Sequence, residues 1–294
     1  MATTIIDGRA MAQELRSELR EDVQQYTQRY GSAPGLVIVR VGDDAASGVY
    51  SKAILRIAND IGVQARLEQL STETSTEELR ATLIHLNNDP AIQGIIVQMP
   101  LPAHLAQQTV AATIAPEKDI DGSSPQNAGN LLLGLPGFLP STAAAVIEIL
   151  ERTKTPLAGK RVVVLGRSNV VGKPLAIMLL QKNATVTICH SHTVNLLDIT
   201  RQADVLVAAV GRAKMVTAAM VQPGATVIDV GINAKAEGGI VGDVDFAAAS
   251  ELAGAITPTP GGVGPLTNVV LLKQCIQAAW LQAAARRQKA RPDR

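Results

Sequence analysis

Aromatic residues are scarce: six in a chain of 294, or 2%. A core built without them must be aliphatic, and 47% of the residues are hydrophobic. That composition suits parallel strands buried on both faces by helices. Cysteine is equally sparse. Cys189 and Cys275 form neither a CxxC pair nor a small disulfide framework. A charge excess is missing too, since the formal net charge is +1, so there is no electrostatic footprint for nucleic acid. The one basic cluster, Ala285 to Arg291, reads as a solvated helix end. No apolar run reaches membrane-spanning length, and the start lacks a charged segment leading into an apolar one. The expectation is a soluble cytoplasmic protein without membrane or nucleic-acid partners.

What is present is an alternation of apolar runs and helical patterns. Gly35 to Val41, Val63 to Leu70 and Gly94 to Met99 read as strands. Ala45 to Ile61, ended by Gly62, and a helix to Asn87, opened by a Ser75/Glu78 capping box, lie between them. This β-α-β-α-β order predicts a parallel sheet. A polar loop from Ala115 to Asn130 follows. A helix from about Ser141 to Arg152 comes next, with Ser141 or Thr142 as its N-cap.

The pattern then restarts. Strands are expected at Arg161 to Gly166, Ala184 to Cys189, Val205 to Val210, Thr226 to Val230 and Ala255 to Thr257, with a helix from Lys173 to Lys182. The last helix, Thr267 to about Ala285, follows after that sheet is complete and is expected to return to the first domain. The fold class is therefore α/β with two domains. The first comprises residues 1–140 and 266–294, and the second, Rossmann-like, comprises residues 141–265.

The run Gly166 to Pro174 (GRSNVVGKP) connects a strand to a helix. Its glycines sit six apart, unlike GxGxxG, yet the context is that of a dinucleotide turn: backbone close to phosphates, free N–H groups at a helix start. NAD sites place an acid about 20 residues further on, against the ribose 2′-hydroxyl. Here no carboxylate occurs between Gly166 and Asp198. Arg167 in the turn and Ser191 at the next strand end offer a cation and a hydroxyl, which suits the 2′-phosphate of NADP. His190 and His192 form an HxH pair, but no Asp or Glu stands beside it in sequence, so no metal is expected.

On the substrate side, Tyr50 lies on the first predicted helix and Gln98 at the end of the third strand, where open sheets place ligand-contacting groups. Asp119 and Asp121 lie in a polar DxDG turn, and Gly261 to Pro265 (GGVGP) follows a strand. Residue by residue, a core aromatic, a solvated turn and a plain connector are the alternatives.

Together, however, these segments resemble one family. Gly94 to Pro102 (GIIVQMPLP), Lys118 to Gly122 (KDIDG), Gly166 to Pro174, Cys189 to Ser191, Ile228 to Asn233, Val241 to Val244 and Thr259 to Thr267 match, in order, the motifs of the bifunctional methylenetetrahydrofolate dehydrogenase/methenyltetrahydrofolate cyclohydrolases. The resemblance implies a homodimer that binds tetrahydrofolate derivatives in a cleft between domains, with NADP as cofactor. It implies catalytic roles for Tyr50, which stacks on the folate, for Gln98 in the reacting region, and for Asp121, which bonds the pterin. Gly262 and Val263 would line the cleft. Gly166, Arg167, Ser168, Gly172, Ser191 and Ile232 would hold the cofactor.

Three departures stand out. The family reads Y-x-x-x-K on the first helix, and here the lysine position is Ile54. Lys52 is no replacement, because on a helix i and i+4 share a face while i+2 is turned by roughly 200°. Pro140-Ser141 and Ser123-Ser124 also differ from the usual pattern. Hydride transfer is positioning chemistry and requires no base, whereas hydration of the resulting cation requires proton transfer. Dehydrogenase activity without, or with weakened, cyclohydrolase activity is therefore expected. The alternatives are a fully bifunctional enzyme, another NADP-dependent dehydrogenase, and a non-catalytic folate- and NADP-binding protein.

Overall fold

The computed structural model describes residues 2–289. Positions 290 and 291 of the basic tail lie outside the described residues. In chain order the first elements are β1 (Thr4–Ile5), α1 (Gly8–Tyr30), β2 (Gly35–Val41), α2 (Ala45–Ile61), β3 (Gln64–Leu70), α3 (Thr76–Asn88) and β4 (Gly94–Val97). Then come α4 (Gln107–Thr113), α5 (Pro125–Leu133), α6 (Ser141–Arg152), β5 (Arg161–Leu165), α7 (Gly172–Gln181) and β6 (Thr185–Cys189). The remainder are α8 (Leu196–Thr200), β7 (Val205–Ala208), β8 (Thr226–Asp229), β9 (Asn233–Ala234), β10 (Ile240–Val241), α9 (Phe246–Ser250), β11 (Ala255–Ile256) and α10 (Val263–Lys289). None of the described helices is long and apolar enough to cross a membrane.

The chain divides into two compact units. One holds the residues up to Gln13 together with Pro140–Thr267; the other holds Glu14–Leu139 and the residues from Asn268 onward. The second of these contains a parallel three-stranded sheet ordered β3-β2-β4. Its central strand β2 (GLVIVRV) is almost wholly buried, while β3, at the edge, has only exposed and half-buried positions. That contrast is expected when only the central strand is covered on both faces. Val37, Val39, Val41 and Ile95 of the sheet pack with Leu79, Leu83 and Leu86 of α3. Both helix signals seen in the sequence are realised: Gly62 ends α2 at φ 88°, and Ser75 and Glu78 close a reciprocal capping box on α3.

The other unit carries a six-stranded parallel sheet ordered β1-β11-β8-β7-β5-β6. Its aliphatic core joins Val163, Leu165, Leu206, Ala208, Val227 and Ile256. The parallel α/β architecture expected from composition is present in both units.

Several local expectations are corrected. The segment 115–130 is not one polar loop, because Ser124 accepts the N–H of Asn127 and Pro125 opens α5. A serine N-cap followed by proline at N1 is a helix start. Neither Ser141 nor Thr142 caps α6. Pro140 occupies the cap position without a side-chain bond, and Ser141 is already helical and buried. The last helix begins at Val263, so Gly264 and Pro265 are helical rather than a connector. A proline within the first turn costs little, since its N–H would be unpaired there anyway. The elements β1 and α1 had no counterpart in the sequence reading.

Candidate active site and nucleotide pocket

Tyr50, Gln98 and Asp121 lie in the unit of the three-stranded sheet, toward its carboxyl end. Asp44 starts α2 by accepting the N–H and hydroxyl of Ser47 at 2.8 and 2.5 Å, and Tyr50 follows in the next turn. Gln98 lies one residue beyond β4, and its N–H extends the ladder to Val39 O at 2.8 Å. The Gln98 side chain is only 5% exposed, and among the described residues no protein group hydrogen-bonds its amide. Its amide atoms are not among the fully enclosed unpartnered ones, so they can bond to solvent or to a ligand.

The two aspartates of the DxDG turn separate by function. Ile95 and Asp119 form a parallel bridge, so the chain leading to Asp121 runs alongside β4 toward Gln98. Asp119 is buried and accepts from Ser123 N–H and hydroxyl at 3.0 Å each, Ser124 N–H at 2.7 Å and Asn127 Nδ2 at 2.9 Å. It folds the turn, and the serines at the departing positions 123 and 124 serve that turn and the α5 cap. Gly122 makes the turn possible: its φ is 59°, and an added Cβ would sit 2.6 Å from Phe138 O. Asp121, half-buried, lies within electrostatic range of Tyr50. Tyr50 is 36% exposed, the rest of its surface being covered. Burial first, then the Asp121 carboxylate, pushes its ionisation above the ordinary phenol range. A neutral phenol is suited to stacking and hydrogen bonding, not to base catalysis.

Ile54, one turn beyond Tyr50, is 0% exposed. It belongs to the buried stripe of α2 with Ser47, Ser51, Ile57, Ala58 and Ile61. Lys52 and Arg56 are exposed on other faces of the helix. No cation acts on the Tyr50 phenol among the described residues; the charge it senses is that of Asp121.

The second site lies wholly within the six-stranded unit. A cavity of about 320 Å³ is lined by Gly166, Arg167, Ser168, His190, Ser191 and Arg212, among others, over a floor that includes Leu165 and Cys189. No carboxylate lines it. The six-residue glycine spacing has a steric cause. Gly166 has φ 118°, an added Cβ there would meet Ala209 O at 2.1 Å, and one on Gly172 would meet Gly166 O at the same distance. Strand end, turn and α7 are thus in backbone contact, which brings the helix start close to the strand's carboxyl edge. Ser168 Oγ accepts the N–H of Val171 at 3.1 Å and shapes the turn. Ile232 does not line this cavity and is 65% exposed beyond β8. Gly262 and Val263 are buried in the same unit as the nucleotide turn, apart from the unit of Tyr50, Gln98 and Asp121.

Two family models match the chain: the tetrahydrofolate dehydrogenase/cyclohydrolase catalytic domain over residues 6–121, and the NAD(P)-binding domain of the same enzymes over residues 140–283. A bifunctional protein FolD of Burkholderia mallei is 50% identical, covering 97% of this chain and 100% of that protein. The chain belongs to the tetrahydrofolate dehydrogenase/cyclohydrolase family. Another FolD, from Herpetosiphon aurantiacus, is 48% identical over 95% of this chain and 98% of its own length. Among solved structures, the Campylobacter jejuni FolD dehydrogenase/cyclohydrolase superposes with a TM-score of 0.94 at 40% identity, covering 96% of this chain and all of that one. The Trypanosoma brucei FolD, solved with NADP and an inhibitor, gives 0.92 at 37%, with coverage of 96% and 99%.

Within this family fold, three contributors escaped the sequence reading. Asp229 and Asp243, both buried, bind backbone N–H groups around the β7 and β8 loops. Arg212 lines the nucleotide cavity. The last had a usable signal, because it lies two residues past a predicted strand, at a carboxyl end where such sheets bind ligands.

Proposed function

We propose that this chain oxidises 5,10-methylenetetrahydrofolate to 5,10-methenyltetrahydrofolate with NADP as hydride acceptor, and that it has lost or strongly weakened cyclohydrolase activity. The observation that carries the second half is Ile54: fully buried, one helical turn from Tyr50, with no cation acting on that phenol among the described residues.

The nucleotide cavity fits NADP. Arg167, Ser168 and Ser191 offer a cation and donors, no lining carboxylate opposes a 2′-phosphate, and the turn brings backbone where a Cβ would collide. NADP, when bound, supplies the hydride acceptor. The chain's own residues position the substrate. Tyr50 presents a neutral ring, Asp121 an acceptor for pterin N–H groups, and Gln98 a buried amide without a protein partner. Removal of hydride leaves a cation shared by two folate nitrogens. No proton leaves, so an aliphatic residue 54 does not obstruct the step. Adding water to that cation requires a proton to be taken up and delivered, and isoleucine can do neither.

The likeness to FolD proteins and the retained tyrosine, glutamine and aspartate support the reading. The same reading takes the chain as a homodimer. β6 forms an open edge of its sheet with Thr185, Thr187 and Ile188 exposed, and such edges are normally covered. Parallel assays on one preparation test the function: NADP reduction with methylene-folate, and methenyl-folate decay against buffer. Fast enzyme-dependent decay would show a fully bifunctional enzyme, and binding of both ligands without turnover a non-catalytic protein.

A further inference from the structure

A ribose 2′-phosphate carries roughly −1.5 to −2 charges at neutral pH. Arg167 offsets one of these, and the serine hydroxyls offset none. A second arginine, Arg212, in the loop that follows β7, also lines the cavity. That loop is unusually well fixed. Asp243, 0% exposed, accepts three successive backbone N–H groups: Val210 at 2.6 Å, Gly211 at 2.9 Å and Arg212 at 2.9 Å. Asp243 also accepts from Asn233 Nδ2 at 2.9 Å. Its own N–H and that of Val244 donate to Asp229 at 2.9 and 3.0 Å. With all of these bonds on its two oxygens, the Asp243 carboxylate is committed to the backbone. Among the described residues neither Arg212 nor Arg167 has a carboxylate partner. His190 also lines the cavity, but its Nδ1 accepts the N–H of His192 at 3.2 Å.

We propose that Arg212 is the second cation for the 2′-phosphate and, with Arg167, sets the preference for the phosphorylated cofactor. This rests on the NADP reading of the cavity. The test is calorimetric titration of the full chain with 2′,5′-ADP and with 5′-AMP, which differ by the phosphate in question. Arg212→Ala should weaken 2′,5′-ADP binding about tenfold, the loss expected for one charge-assisted contact. It should leave 5′-AMP unchanged and lessen the salt sensitivity of 2′,5′-ADP binding. Arg212→Lys should restore part of the loss. An equal loss for both nucleotides would mean that Arg212 packs on the adenine, and no loss would mean that it binds neither; each result overturns the proposal. Arg167→Ala, run in parallel, separates the two levels. If it discriminates between the nucleotides and Arg212→Ala does not, only the role of Arg212 fails. If the unmodified protein binds both nucleotides equally, the NADP reading fails with it.

Discussion

Ile54→Lys should install ring hydrolysis at a modest cost in stability. Ile54 is completely buried, and burial of such a side chain stabilises by about 1.5–3 kcal/mol. The lysine stem recovers part of that along the same stripe. Its amine can stay neutral at the cost of a depressed pKa, or reach toward the carboxylate that acts on Tyr50, that of Asp121. A net loss of about 1–3 kcal/mol is the usual range for a core substitution, and a domain stable by about 5–15 kcal/mol tolerates it. Against that stands a proton-transfer group worth about 100-fold or more in rate. Denaturant unfolding would give the stability cost. Absorbance would follow methenyl-folate decay and NADP reduction on the same protein. The unmodified chain should hydrolyse at the buffer rate while reducing NADP, Ile54→Lys should do both, and Ile54→Met should behave as the parent. An Ile54→Lys protein that folds and oxidises normally yet hydrolyses no faster than buffer would refute the assignment of the defect to this side chain.

Three further outcomes follow from the geometry. Gly172→Ala places a Cβ 2.1 Å from Gly166 O; it should cost about 1–3 kcal/mol or more in urea unfolding and abolish 2′,5′-ADP binding. Asp243→Ala strips acceptors from the N–H groups of Val210, Gly211 and Arg212; at about 1–3 kcal/mol for each buried orphan, the unfolding midpoint should fall sharply, with Asp243→Asn less affected. Tyr50→Phe should delete a late-ionising phenol from an ultraviolet alkaline titration. The folded pKa is raised, so the neutral phenol's contribution to stability is complete below its ordinary value of about 10 and is lost as pH rises through the folded value; an early-ionising Tyr50 would contradict its burial beside Asp121.

The parts legible in sequence were those with local causes. The Ser75/Glu78 box and Gly62 acted where the pattern placed them, because capping depends on neighbours three or four positions away. The buried strands β2, β5 and β7 stand out as largely aliphatic runs. The two-residue strand β1 did not, because it is defined by its pairing with β11 across the sheet rather than by its own residues. Helix α5 reads as loop in the sequence because Asp, Ser, Pro and Asn dominate its approach, although Ser124-Pro125 is itself a start signal. The division of labour between Asp119 and Asp121 could not be read from a DxDG turn. It follows from a bridge to Ile95 and a chain of contacts to Asn127.

The missing acid in the nucleotide turn supported NADP from sequence, yet the structure holds two buried acids close by in the same unit. Their placement explains why they do not select NAD. A ribose 2′-hydroxyl would need a carboxylate oxygen with a free lone pair facing the cavity. Asp243 spends its oxygens on three loop N–H groups and an asparagine, and Asp229 accepts from Gly231, Asp243 and Val244. Neither lines the cavity. Burial raises the Asp229 pKa, with the nearby Asp243 charge adding to the rise, while its three N–H bonds oppose it. The acids therefore act on the site through backbone, by fixing the loop that carries Arg212, and the charge presented to a ligand stays cationic.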